Sequence, residues 1–263
     1  HIVVDYEGLV KYGLRHYIDY ANERLAGLNL TEVEDLKQKA FLQAIPITLQ
    51  AVIDFSHRFA NLAEGMAELE ADEARRGELM QIARNCHKVP EYKPDTFWEA
   101  LQAVWFIHLC LQIESNGHSM SLGRMDQYLH PFYRADVERG ALDYKKAMEL
   151  IECLYVKLFT INKVRSWGHS RFVSGYPTYQ NIIVSGQSAL GVDATNELSY
   201  VMIEALGEIR LSEPNFYVRY HEGIPIDFMK LAIKIVGYGF GMPAIVNDKV
   251  VVLSLVNRGV SLE

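Results

Sequence analysis

The class of fold follows from one short run, Tyr179-Gln180-Asn181-Ile182-Ile183-Val184-Ser185-Gly186. Its centre is rich in β-branched residues, and Pro177 and Gly186 bound it, which predicts a buried β-strand. The residues that follow predict a helix over 195–209, a strand over 215–220, a helix over 226–238, a short strand over 243–246 and a helix over 248–258. This alternation favours parallel α/β units that close a sheet or a barrel.

On the N-terminal side of this run, apolar residues recur mainly at helical spacing. Thr31 and Thr96 each open a sequence of the capping-box type, and Pro46 marks a site where a helix could kink. The predicted helices cover 5–25, 31–69, 71–86, 97–114 and 143–160. We therefore predict an α/β fold in one domain over 1–263, with a helix-rich part at 1–165 and part of an α/β half-barrel at 166–263.

The composition excludes several classes of protein. Of 263 residues, 49% are hydrophobic and 22% charged, and the formal net charge is −7. This negative charge, and the lack of a basic run with interleaved aromatics, argue against nucleic acid as a partner. No apolar run has the length of a membrane span, and the first residues do not resemble a signal peptide. The three cysteines, Cys86, Cys110 and Cys153, are widely spaced, which indicates a reducing cytoplasm. Cys110 and Cys153 are predicted to be buried.

Polar residues concentrate in the segment 114–128, directly after the apolar helix predicted over 97–114. Hydrogen-bond donors that lie at the end of a rigid apolar helix are well placed to bind a small polar ligand. His118 and Ser119 could thus offer an imidazole and a hydroxyl to one site. Composition alone favours the other interpretation, in which Ser115, Asn116 and Ser119 are ordinary turn and cap residues. Arg124 and Asp126 are predicted to be a buried structural pair or helix-end contacts rather than catalysts.

Two further side chains have alternative interpretations. Tyr176 lies in a tight bend before the predicted strand, where its hydroxyl could bind a ligand or satisfy nearby backbone. Arg219 could anchor a substrate or brace the wall of the barrel.

The glycine-rich run 237–243 follows a helix and precedes a strand, which is the wrong order for a dinucleotide site. The scattered histidines have no acidic partners at metal-ligand spacing, so no metal site is predicted.

Taken in order, five segments resemble the pyruvate formate-lyase-like glycyl radical enzymes across nearly the whole chain. Within that family, the His118-Ser119 pair is similar to the branch that dehydrates glycerol and propanediol. The segments are His1-Ile2-Val3-Val4-Asp5-Tyr6, Asn116-Gly117-His118-Ser119, Gly123-Arg124-Met125-Asp126-Gln127-Tyr128, Ser174-Gly175-Tyr176-Pro177 and Gly241-Met242-Pro243-Ala244.

The resemblance implies a barrel of two half-barrels wrapped by helices, and it implies roles for four residues. His118 and Ser119 would bind substrate hydroxyls, and Tyr176 would line the pocket. His1 would be catalytic, since it would contact the departing hydroxyl and help to protonate it. The implied reaction is a radical 1,2-elimination of water from a small vicinal diol or a related alcohol.

The resemblance also implies the components that the reaction needs. A separate radical-SAM activating enzyme places a radical on a glycine, and a cysteine thiyl then takes hydrogen from the substrate. The implied partners are this activating enzyme, the alcohol substrate and a second copy in a homodimer, in an anaerobic cytoplasm. We expect no cofactor and no metal bound in this segment, and neither a nucleic acid nor a membrane as partner.

The sequence departs from the family in that the cysteine loop and the radical-glycine motif are absent. The chain starts at His1 and stops in mid-pattern at Glu263, so we expect a segment of a longer enzyme that is inactive alone. Glu213 stands where an uncharged polar residue is expected, which leaves the substrate open. The alternatives are a carbon–sulfur lyase for a hydroxyalkyl sulfonate, a formate acetyltransferase, and a non-enzymatic helix-rich remnant.

Overall fold

The computed structural model describes residues 2–115, 117–172 and 178–261. Contacts divide the chain into two compact units, Asp5–Cys110, here the helical unit, and His1–Val4 with Leu111–Glu263, here the sheet unit. The elements in chain order are β1 (Ile2–Val3), α1 (Tyr6–Tyr12), α2 (Leu14–Ala26), α3 (Val33–Leu69), α4 (Glu73–Lys88), α5 (Phe97–Glu114), β2 (Met120–Ser121), α6 (Met125–Tyr128), α7 (His130–Glu138), α8 (Tyr144–Phe159), α9 (Trp167–Phe172), β3 (Asn181–Ser185), α10 (Glu197–Ile209), β4 (Asn215–Tyr220), α11 (Ile226–Val236), β5 (Ala244–Asn247) and α12 (Asp248–Val256).

The helical unit packs α3, α4 and the first part of α5 around a small apolar cluster. Ala60, Cys86 and Phe106 form this cluster, and Phe55 and Ile82 pack against it. Removing such side chains from water stabilises the unit by about 25 cal/mol per Å² of apolar surface. Among the described residues, no helix has both the length and the apolar character needed to cross a membrane.

The helix predicted over 5–25 is two helices, because Gly13 separates α1 from α2. Gly13 has φ 75°, and a Cβ there would lie 2.5 Å from the carbonyl carbon of Tyr92. Only glycine fits this close approach of two backbones without strain. The turn lets α2 begin against the neighbouring segment, where the amide of Leu14 donates to the carbonyl of Pro90 at 2.9 Å.

The two predicted capping boxes have different outcomes. The box at Thr31 is wrong, since α3 begins at Val33 and the Thr31 hydroxyl instead donates to Asn29 Oδ1 at 2.8 Å. The box at Thr96 is half confirmed: Thr96 Oγ1 accepts the Glu99 amide at 3.1 Å, while the Glu99 carboxylate accepts the amide of Asp95 at 2.7 Å. Pro46 lies within α3 and does not end it.

The sheet unit contains the predicted parallel strands. β3, β4 and β5 are hydrogen-bonded in that order, and both pairs are parallel. The register places Ile182 opposite Phe216 and Val218 opposite Ile245. Ile182, Val184, Phe216 and Val218 are completely buried on one face of the sheet, whereas Ile183 and Tyr217 on the other face are half-buried.

A second, two-stranded parallel sheet of β1 and β2 connects to this one through Leu122 and Gly123. The Leu122 amide donates to the carbonyl of Asn181 at 2.9 Å, and the Ile183 amide donates to that of Gly123 at 2.9 Å. The segment after β2 therefore acts as a neighbour of β3. The sequence predictions missed β1, β2, α6, α7 and α9, because elements this short leave almost no periodic signal.

The cysteines do not follow their predicted burial. Cys86 is in the core of the helical unit, Cys110 is half-buried, and Cys153 is exposed on α8. The prediction for Cys153 is wrong because α8 buries the face that carries Leu150, Leu154 and Leu158, and leaves Cys153 on another face.

Asp126 connects α6, β3 and α10 from a completely buried position. Its Oδ2 accepts the amide of Ser185, at the end of β3, at 2.6 Å, and the hydroxyl of Ser199 at 2.7 Å. The Asp126 carbonyl accepts the side-chain amide of Asn196, the N-cap of α10, at 2.8 Å. Burial raises the pKa of this carboxyl, and the hydrogen bonds from Ser199 and Ser185 oppose that change.

We expect Asp126→Ala to lower the free energy of unfolding by about 2–5 kcal/mol, because it leaves a buried amide and a buried hydroxyl without an acceptor. Asp126→Asn keeps an acceptor oxygen and should cost less. Denaturant unfolding of the full polypeptide encoded by the gene measures both. Asp143→Ala is the control, since it removes an exposed N-cap that accepts the Lys146 amide at 2.8 Å, at a cost of about 1 kcal/mol. A loss at Asp126 no larger than at Asp143 would contradict this account.

Candidate functional site

Two of the four predicted site residues, His1 and Tyr176, lie outside the described residues. Ile2, which follows His1, and Thr178, two residues after Tyr176, are described, and both are hydrogen-bonded to Ser119. The Ile2 amide donates to the Ser119 carbonyl at 3.0 Å, and the Ser119 amide donates to the Thr178 carbonyl at 2.8 Å. The backbone of Ser119 thus lies between the start of β1 and the segment that leads into β3.

Ser119 itself is 1% exposed and has φ 63°, a conformation that few non-glycine residues adopt. Its Oγ is buried and has no hydrogen-bond partner within the described part of the chain. Buried hydroxyls are nearly always paired, so this one is available to a group outside the described residues, such as a ligand or a water.

His118 is exposed and lines a cavity of about 280 Å³ together with Lys163, Arg165, Ser166 and His169. Its ring lies edge-on to that of Tyr179, with centroids 5.2 Å apart. The guanidinium of Arg165 lies 3.0 Å from His118 Nδ1. The adjacent residues His118 and Ser119 therefore differ in environment, one at a cavity wall and the other buried behind it.

The contact with Arg165 determines the tautomer of His118. An arginine is always protonated and can only donate, so His118 Nδ1 must accept and its single proton is on Nε2. Desolvation, followed by the positive charges of Lys163 and Arg165, lowers the pKa of His118 below its ordinary 6.5. His118 is thus a neutral hydrogen-bond donor at pH 7.

The segment 178–180 is held by one carboxylate, that of Glu213. Its oxygens accept the amides of Thr178, Tyr179 and Gln180 at 3.0, 3.1 and 3.3 Å. Tyr179 has φ 55°, so these hydrogen bonds also hold a strained turn. Glu213 therefore positions the segment that contacts both Ser119 and His118, which gives the unexpected acidic residue a structural role.

The arginines of the sheet unit brace its backbone. Arg219 makes a bidentate ion pair with the buried Asp248 at 2.7 and 2.8 Å, which favours the bracing interpretation of this residue over substrate anchoring. Arg124 donates to the carbonyls of Ser185 and Gln187 at 2.8 and 3.0 Å. Among the described residues Arg124 forms no ion pair with Asp126, so the two side chains hold other parts of the sheet unit and do not form a salt bridge with each other.

Sequence reasoning missed Lys163, Arg165 and His169 as residues of this site. The available signal was the density of cationic and imidazole side chains in 163–171, which lies between the predicted helix at 143–160 and Tyr176. No three or more His, Cys, Asp or Glu side chains within the described ranges could hold a metal ion.

The model of one protein family, described as pyruvate formate lyase-like, matches residues 1–263. The chain belongs to the pyruvate formate lyase-like family. Among its relatives, the Escherichia coli K12 protein named "Probable dehydratase YbiW" is 44% identical, over 99% of this chain and 33% of its own length. The isethionate sulfite-lyase of Oleidesulfovibrio alaskensis is 35% identical, over 99% of this chain and 32% of its own length.

A solved structure extends this likeness to three dimensions. The glycerol-bound form of the B12-independent glycerol dehydratase from Clostridium butyricum superposes with a TM-score of 0.96 and 39% identity, over 100% of this chain and 33% of that protein. The predicted α/β fold class and the predicted resemblance to glycyl radical enzymes of the pyruvate formate lyase-like family are thereby confirmed. The chain spans about a third of the length of these relatives.

If Glu213 positions the site of this family member, Glu213→Ala should release the amides of 178–180. We expect faster hydrogen exchange at these three amides and a free energy of unfolding lower by about 2 kcal/mol. Glu213→Gln retains a carbonyl oxygen and should be intermediate. The matched control is Glu222→Ala, because within the described ranges Glu222 makes only an exposed ion pair with Lys249. Equal protection of 178–180 in all variants would exclude this positioning role.

The charge of Arg165 should contribute to the lowered pKa of His118, after desolvation and the charge of Lys163. Arg165→Met removes a cation and frees Nδ1, so we expect the pKa of His118 to rise, measured from the imidazole NMR signal of the full polypeptide. Since folding lowers this pKa, stability should also fall as the pH drops below 6.5 in the parent protein, and less so in the variant. Arg171→Met, which removes a cation stacked on Trp167, is the control. An unchanged titration of His118 in Arg165→Met would refute the assignment.

Proposed function

We propose that this chain is one segment of a glycyl radical enzyme that removes water from a small vicinal diol or a related alcohol by 1,2-elimination. The observation that carries this proposal is the pair of backbone hydrogen bonds at Ser119. One leads to Ile2, next to His1, and the other to Thr178, close to Tyr176. These contacts support a site in which His1, His118, Ser119 and Tyr176 converge.

The described side chains suit the recognition of hydroxyl groups. His118 offers an Nε2 proton to a substrate oxygen, and the unpaired Ser119 hydroxyl can donate or accept. Because Ser119 is buried, a substrate that pairs with it would be withdrawn from water, which strengthens each polar contact. In this proposal His1 assists the departure of the hydroxyl and Tyr176 lines the pocket.

The radical itself belongs to the remainder of the enzyme. When a glycyl radical is present in the complete protein, it initiates the abstraction of a hydrogen atom from the substrate carbon. The chain covers about a third of its relatives, so we propose that it binds and orients the alcohol and is inactive alone. By the family resemblance, the complete protein is a homodimer activated by a radical-SAM enzyme in an anaerobic cytoplasm.

A second candidate is cleavage of a carbon–sulfur bond in a hydroxyalkyl sulfonate. It is favoured by the 35% identity to an isethionate sulfite-lyase over 99% of this chain. The same hydroxyl contacts would serve, and sulfite would depart in place of water. The two candidates therefore differ in the leaving group and not in the part of the site that His118 and Ser119 form.

The test uses the full polypeptide encoded by the gene, activated anaerobically by a radical-SAM activating enzyme. We expect an aldehyde from 1,2-propanediol or glycerol, whereas sulfite from isethionate would establish the second candidate instead. Ser119→Ala should lower kcat/KM by about tenfold, the value of one hydrogen bond to a neutral group. Ser254→Ala on the exposed face of α12 is the control and should have no effect. Neither aldehyde nor sulfite from the activated protein would overturn both candidates.

A further inference from the structure

We propose that the cavity lined by His118, Lys163, Arg165, Ser166 and His169 is an anion subsite that takes a carboxylate, sulfonate or phosphate group. That this group belongs to the alcohol substrate rests on the proposed function, whereas binding of the anion does not. The preferred alcohol would then have one anionic substituent in addition to its hydroxyl groups.

The charges of the lining support this assignment. Among the described residues that line the cavity, two are cationic, two are histidines and one is a serine, and none is an aspartate or glutamate. A cavity with charge of only one sign and low-dielectric walls concentrates ions of the opposite sign. An anion is therefore the ligand that compensates this lining.

Lys163 is the residue that most needs such a ligand. It is 8% exposed, yet within the described residues it makes no ion pair with a carboxylate. Desolvation and then the charge of Arg165 lower its pKa. Burying an ammonium without a counter-charge is costly, and a bound anion removes that cost.

Arg165 lies between the two imidazoles of the cavity. Its guanidinium contacts Nδ1 of His118 at 3.0 Å and Nε2 of His169. Both imidazoles must therefore accept from Arg165, which leaves a proton on Nε2 of His118 and on Nδ1 of His169. Each ring thus has one N–H group to donate to a ligand.

Ser166 adds a further donor. Its Oγ accepts the backbone amide of His169 at 3.3 Å, so the hydroxyl proton remains available. With Lys163 and the imidazole of His169, the lining offers donors of several geometries around one space, and the Nε2 proton of His118 remains for the substrate hydroxyl. Oxyanions with several equivalent acceptor oxygens match such a set better than a single hydroxyl does.

The size of the cavity restricts the ligand. A volume of about 280 Å³ is at the lower end of the range for small-molecule sites. The cavity therefore suits one anionic group on a short carbon chain. Because His118 is part of this lining and is adjacent to Ser119, a hydroxyl on the same molecule could reach the proposed substrate contacts.

The experiment measures binding to the full polypeptide without activation, so that it does not depend on radical chemistry. Isothermal titration uses ethanesulfonate, propanoate and propyl phosphate as probes, and 1-propanol as the neutral comparison. We expect at least one anion to bind, no heat from propanol at the same concentration, and an affinity that falls as salt rises. Lys163→Met should weaken the anion at least tenfold, Lys163→Arg should retain it, and Lys230→Met, an exposed lysine on α11, should not change it.

A readout on the unmutated protein covers the case in which Lys163→Met fails to fold. The bound anion should raise the titration midpoint of His118 in NMR, and propanol should leave it unchanged. Absence of anion binding, or unchanged affinity in folded Lys163→Met, would overturn the subsite. Turnover assays on the activated protein separate the two proposals. Anion binding without turnover of any alcohol refutes only the proposed function. Turnover of neutral diols without anion binding refutes only the subsite.

Discussion

The sheet unit depends on the hydrogen bonds that Asp126 makes at the end of β3. One buried carboxylate accepts from the last amide of the strand and from the first turn of α10, while the neighbouring Arg124 donates to the carbonyls of Ser185 and Gln187. A strand end buried without such partners would carry unpaired backbone groups, each a substantial cost. The segment 122–126 therefore serves both as a neighbour of β3 along its edge and as a cap at its end.

The candidate site depends on this arrangement because its parts are anchored to the same strand. Ser119 precedes β2, and Thr178 precedes β3, and the two are joined directly by a backbone hydrogen bond at 2.8 Å. Glu213, just before β4, holds the turn at 178–180 through three amides. Polar side chains on short connections are thus fixed by neighbouring parallel strands, so a rigid scaffold orients groups that loops alone would leave mobile.

The electrostatics of the site follow from the same positions. Desolvation, and then the charges of Lys163 and Arg165, lower the pKa of His118 and keep its imidazole neutral. The hydrogen bond from Arg165 sets which nitrogen carries the proton. A neutral donor next to a buried serine suits a hydroxylated ligand, while the cationic remainder of the cavity suits an anionic one. Both properties arise from residues that are far apart in sequence, namely 118 and 163–169. No single sequence motif contains all of them.

The sequence alone determined the elements whose patterns extend over many residues. The strand over 215–220, the strand within 179–186, and the helices that follow were predicted close to their observed bounds, since buried periodicity and terminating residues are local properties. The family resemblance likewise came from ordered motifs that need no coordinates.

Which polar side chains meet depends on the folded arrangement of the strands. Glu213 was an unexplained departure in the sequence and is the acceptor for three amides about 35 residues away, and Arg219 proved to be a brace for Asp248. Lys163, Arg165 and His169 gave a local density of positive charge but no sign of a shared cavity with His118. The physical reason is that hydrogen bonds and charges act over a few ångströms in space, whatever the separation of the residues along the chain. Residues distant in sequence come within that range only when the strands pair.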